Sequence, residues 1–176
     1  MTDLRSRVED DRGLLKKIEL LIPGFKGYRQ KEDIRIADNL LRQQLADRMG
    51  EVNLIFENSR QELSRNMELA LISDIGNILK LSRLAENKIR HAEQGYTGIS
   101  ANFRIEEAEL NAMYEWDLAL IQTIDSIKNM AGELLDSIIT SDDSVARKMV
   151  NIHKTLQEFI SIFNKRITII AGLEVS

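Results

Sequence analysis

Pro23 is the only proline in the chain, so beyond it the backbone meets no residue that must break a helix. Glycine is sparse as well, at 9 positions, and apolar residues return at alternating steps of four and three. A chain patterned in this way buries itself by laying the apolar stripes of long helices against one another. Abundant Leu, Ile, Ala, Glu, Lys and Arg with only 5% aromatic residues point the same way, to helices rather than sheets. The expected fold class is all-α, with long antiparallel helices forming a coiled-coil-like helical bundle in a single domain over residues 1–176.

Five helical stretches follow from the stripes: Leu4–Ile22, Arg29–Asn66, Asn66–Ala92, Glu106–Thr140 and Ser144–Ala171. In the first, Leu4, Val8, Leu15, Ile18 and Ile22 share a seam with Asp11 as its polar member, and Pro23-Gly24 ends it. In the second, Ile34, Ala37, Leu41, Leu45, Val52, Ile55 and Leu63 share a face on which Arg48 and Ser59 fill polar slots. The third is the most regular: Leu71, Ile75, Ile78, Ser82, Ala85, Ile89 and Ala92. No Pro or Gly lies between Glu62 and Asn66, so these two stretches are expected to run into each other through a kink.

EQGYTGISANFRI, after Ala92, reads as a loop, and Glu106, Glu107 and Glu109 then suit the start of a helix. Leu110, Met113, Leu120, Ile124, Ile127, Ala131, Leu134 and Ile138 form its stripe. Ser141 to Ser144, SDDS, reads as a turn and N-cap. Val145, Met149, Ile152, Leu156, Phe159, Phe163, Ile167 and Ile170 follow at heptad-like steps, with Gly172 as the expected end signal. Polar interruptions at Asp11, Arg48, Asp117 and Lys128 favour a register-specified bundle over an extended zipper.

Several chemistries are excluded. There is no cysteine, hence no disulfide, thiol nucleophile, iron–sulfur cluster or cysteine-ligated zinc. His91 and His153 are preceded three residues earlier by Lys88 and Val150, so the Glu-x-x-His pairs of a di-metal bundle are missing. No phosphate-cradling glycine motif and no calcium-loop pattern occurs, and no cofactor or metal is expected. A net charge of −4 argues against a general nucleic-acid binder. The opening residues MTDLRSRVEDDRG have no apolar h-region, and Asn164, Lys165 and Arg166 interrupt the most apolar stretch. A cytoplasmic location without a transmembrane segment is therefore expected.

Two segments concentrate unusual residues. YEWDLAL, Tyr114 to Leu120, holds the only Trp and places Asp117 three residues after Tyr114, on an otherwise apolar face. A carboxylate there needs a partner. Either it forms an ion pair that fixes helix register, or the Tyr114–Asp117 pair binds something. IPGFKGYRQKEDIRIAD, Ile22 to Asp38, frames Phe25 and Tyr28 with Lys26, Arg29, Lys31 and Arg35. Bases near a helix start suit an anion or an acidic partner. The plainer reading has Phe25 and Tyr28 plug the end of the bundle while the bases pair with Glu32, Asp33 and Asp38.

With IPGFKGYRQKEDIRIADNLLR (Ile22–Arg42), GYTGI (Gly95–Ile99) and YEWDLAL in this order, the chain resembles an uncharacterised family of small prokaryotic helical proteins. The family pattern is I-P-G-x-x-G-Y, then K-E and A-D, then G-Y-x-G, then Y-x-x-D-L-A-L. The chain departs from it at Ser100 to Phe103, where a more apolar run is expected. The resemblance implies a prokaryotic cytoplasmic protein and brings no reaction with it.

The expected function is a non-enzymatic interaction or scaffold role, with self-association or a helical protein partner. An alternative is binding of an anionic ligand, a membrane surface or nucleic acid through Lys26, Arg29 and Lys31, helped by Lys16, Lys17 and Arg35. A third is an enzyme with a site around Tyr114 and Asp117, joined by Glu115 and by Tyr28 or Tyr96. The decisive observation is whether the Ile22–Asp38 segment, the Gly95–Gly98 loop and Tyr114–Asp117 converge.

Overall fold

The structure is a computed structural model that describes residues 4–27, 31–92 and 107–175, with side chains over 13–27, 36–92 and 110–168. The described residues form five helices: α1 (Leu4–Leu21), α2 (Lys31–Arg65), α3 (Leu69–His91), α4 (Glu107–Ile139) and α5 (Val145–Val175). Where their side chains are described, the stripes read from the sequence form the core. Leu41, Leu45, Val52, Ile75, Ile89, Ile124, Ile152, Leu156 and Phe159 are all fully buried. Serines on these stripes keep their hydroxyls satisfied: Ser59 and Ser137 donate to the carbonyls of Ile55 and Glu133, and Ser82 to the Met49 sulfur.

Cross-helix polar pairs reveal how the helices run. Glu57–Arg83, Asn53–Glu86 and Asp47–Arg90 descend α2 as they climb α3, so those two are antiparallel. Asp117–Arg166 and Ser137–Lys148 show the same for α4 and α5. Arg48–Asp125 and Glu51–Lys128 instead advance together, so α2 and α4 lie side by side in parallel. The fold is two antiparallel hairpins stacked with the same orientation: α2 packs on α3 and α4, and α5 packs on α3 and α4. Helix α1 lies along α4, and Arg48 of α2 donates to the Leu21 carbonyl at its end.

The expected continuity between the second and third stretches is overturned, because a turn at Asn66–Glu68 separates α2 from α3. Glu68 N–H bonds the Leu63 carbonyl and Met67 N–H the Ser64 carbonyl, with Met67 at φ 57°. This is the six-to-one and five-to-two pattern that closes helices, usually with glycine at the left-handed position. The α4–α5 turn repeats it: Asp142 N–H to Ser137, Ser141 N–H to Ile138, and Ser141 at φ 52°. Neither turn carries a glycine, so glycine-based reading of the sequence has no signal for the first of them. Met67 is 82% exposed and loses no packing on replacement. Met67→Gly is expected to raise unfolding stability by about 0.5–1 kcal/mol, measured by denaturant titration. An unchanged midpoint would show that the left-handed residue is not strained.

Two further expectations change. Gly172 does not end the last helix, which runs on to Val175, since one glycine inside a helix costs only about 1 kcal/mol relative to alanine. Lys128 does not interrupt the buried stripe: it is exposed and bonds Glu51 at 2.5 Å, and the neighbouring Ile127 takes the core position. The SDDS segment does act as a turn, with Asp142 Oδ1 accepting from the Ser144 N–H at 2.8 Å before α5 begins.

Candidate functional site

Helix α3 stops at His91, level with the stretch of α2 near Arg42, which reaches its final carbonyls. Helix α2 extends eleven residues further, to Lys31, or roughly 16 Å at 1.5 Å per residue. At the level where α3 ends, the bundle holds a layer of four charged side chains instead of apolar ones.

Arg166 of α5 is at its centre, 1% exposed, donating from Nε to Asp117 Oδ1 at 2.5 Å and from Nη1 to Asp38 Oδ1 at 2.6 Å. The other oxygen of Asp38 accepts from Arg42 Nε at 2.8 Å. Arg42 then turns to α3, donating from Nη1 to the Ala92 and Ile89 carbonyls at 3.2 and 3.4 Å, and from Nη2 to Asn39 Oδ1 at 2.7 Å. Unsatisfied carbonyls and the negative dipole end of α3 thus meet a cation, as helix electrostatics favours. Two carboxylates and two guanidinium groups balance to no net charge. Burial alone would push the Asp38 carboxyl up; the facing Arg166 and then Arg42 outweigh it and hold the group below the usual aspartate range.

Beside this layer the chain leading out of α1 folds against α4. Phe25, 3% exposed, sets its ring edge-on to Tyr114, 2% exposed, with centroids 6.4 Å apart and planes at 71°. Gly27 follows at φ 84°, and a Cβ placed there would lie 2.5 Å from the Tyr114 hydroxyl oxygen and 3.1 Å from Leu15. Only a glycine permits that approach.

Of the sequence-derived site residues, Phe25, Tyr114 and Asp117 come together in the core, and Lys26 is exposed next to them. Lys31 and Arg35 lie on α2, with side chains outside the described set; Tyr28, Arg29 and Tyr96 fall outside the described residues. Two of the three segments therefore converge, through Phe25–Tyr114 and through Asp38–Arg166–Asp117. The Gly95–Gly98 loop is outside the described residues, although α3 ends against the same layer. Asp117 is in a buried ion pair, as its position on an apolar face demanded.

Sequence reasoning missed Arg42 and Arg166. A signal for Arg166 existed: Leu156, Phe159 and Phe163 step by three and four, and the next step of three lands on Arg166. A cation continuing one apolar stripe is the natural partner of an anion interrupting another.

His91 is exposed and His153 half-buried. No group of three or more metal-ligating side chains occurs among the described residues. No helix is long and apolar enough to cross a membrane among them either. Comparison of the chain with protein-family models, with curated proteins and with solved structures finds no match to any of them.

Proposed function

We propose that this protein is a non-enzymatic interaction or scaffold protein that self-associates through its helical surfaces. One contrast carries the reading: the charged groups of the best candidate site are sealed inside and neutralise one another, while large apolar side chains stay outside. Asp117 is 0% exposed, yet Leu54, Leu84 and Val150 are 66%, 48% and 68% exposed on helix surfaces. A catalytic carboxylate has to meet substrate, and Asp117 is fully buried. Exposed apolar residues on rigid helices are the currency of helix–helix association.

Light scattering across a concentration series tests the reading. The expected result is an apparent mass above that of the 20.1 kDa chain, rising with concentration. A mass of one chain throughout, with no protein partner recovered, would overturn it.

A further inference from the structure

The four seams between neighbouring helices of the bundle are not equivalent. Salt bridges and side-chain hydrogen bonds stitch α2 to α3, α2 to α4 and α4 to α5. Among the described residues, no hydrogen bond or ion pair joins α3 to α5. A groove of about 230 Å³ lies in that seam instead, with Ile78, Met149 and Val150 beside Asp74, Asn77 and His153. On the opposite side of the bundle, α1 covers the other parallel pair, packing on α4 and meeting Arg48 of α2. No described helix covers α3 and α5.

Helix α3 presents a second stripe there, one position away from its core stripe: Asp74, Asn77, Leu81, Leu84 and Lys88, again at steps of three and four. Helix α5 presents Ala146, Val150, His153, Gln157, Ile160 and Asn164, which include no lysine, arginine or carboxylate. Leu81 and Ile160 are half-buried, and Leu84 and Val150 are exposed.

Along α3 this stripe is antisymmetric in charge about Leu81, with Asp74 two turns to one side and Lys88 two turns to the other. Neither joins an ion pair among the described residues. A two-fold axis across the helices at Leu81 would set Asp74 of each copy opposite Lys88 of the other and bring the leucines together between them. A second copy of the chain thus supplies both the apolar cover and the charge complement. The size is adequate: the 23 residues of α3 span about 34 Å, and two helices about 20 Å. That footprint is roughly 700 Å² per copy, close to the ~800 Å² of a standard interface.

We infer that the α3–α5 face is the self-association surface, where two copies pair antiparallel about Leu81. The inference rests on the self-association reading above and names its surface. The test uses the full chain in sedimentation equilibrium, with helix content and unfolding midpoint as folding controls. Leu84→Glu and Val150→Glu, both at exposed positions, are each expected to weaken association about ten-fold or more. Asp74→Lys or Lys88→Asp alone sets like charges opposite and weakens it several-fold; the two together restore it. Association that survives Leu84→Glu and Val150→Glu unchanged, or a double charge swap that fails to restore it, would overturn this surface and leave self-association standing on another. A wild-type chain that stays monomeric at every concentration would remove the self-association reading itself.

Discussion

Replacing Arg166 with Met is expected to destabilise the fold by about 3–5 kcal/mol, the range found when one member of a buried ion network is removed. The guanidinium is 1% exposed and serves two carboxylates on two different helices, so its loss leaves both without it in the core. Replacing Asp38, Arg166, Asp117 and Arg42 together by apolar residues of similar volume is expected to cost far less than the sum of the single changes. The reason is desolvation, which the attraction between the buried charges largely offsets without exceeding. The network then acts mainly to favour the arrangement of helices that pairs all four charges. Denaturant titration of the single and combined variants measures the difference; a combined loss equal to the summed single losses would show that the charges act independently.

The pH dependence of the same variants gives an independent sign. In the wild type the Asp38 pKa is lowered, so its contribution is present above the unfolded value near 3.8 and is lost as pH falls through the folded value. The Asp38 share of wild-type stability is therefore lost progressively as the pH falls from about 5 through the folded value. In Arg166→Met one of the two cations that hold the Asp38 carboxyl down is gone while its burial remains, so that carboxyl binds its proton at a higher pH than in the wild type. The stability lost on acidification should therefore be smaller in the variant than in the wild type. A variant that follows the wild-type profile would show that Arg42, which already bonds Asp38, holds the carboxyl down without Arg166.

Gly27→Ala is the second large effect, expected at about 2–5 kcal/mol. A left-handed backbone with a Cβ costs about 1–2 kcal/mol, and overpacking a closely fitted site typically adds 1–3. The φ of 84° supplies the first part, and the 2.5 Å approach to the Tyr114 hydroxyl oxygen the second. The neighbour cannot yield cheaply, because Tyr114 is buried and held edge-on by Phe25. Gly24→Ala is the control. It shares a positive φ, at 87°, but its Cβ would meet only Leu40 at 3.7 Å, so it should show the backbone part alone. Thermal unfolding of the two variants separates the contributions, and equal losses would mean that the Tyr114 approach carries no weight.

How far the sequence could be read divides along physical lines. Helix existence, the buried faces and the α1–α2 and α4–α5 connections were legible, because apolar periodicity, Pro23-Gly24 and SDDS act over a few residues of chain. The need for a partner to Asp117 was legible too, since an acid on an apolar stripe is costly wherever that stripe is buried. The break at Asn66–Glu68 was not legible: Met67 adopts a glycine-like conformation that its own side chain disfavours, held by hydrogen bonds of a turn between two packed helices. Nor were the parallel pairing of α2 with α4, the choice of Arg166 as the common partner of Asp38 and Asp117, and the position of the uncovered face. Those depend on which stripe meets which, at what level, between residues 49 and 128 positions apart in the chain. Local pattern determined that there would be helices with buried seams; only close packing of all the seams at once decided their neighbours, because buried charges have to find their partners in a core that excludes water.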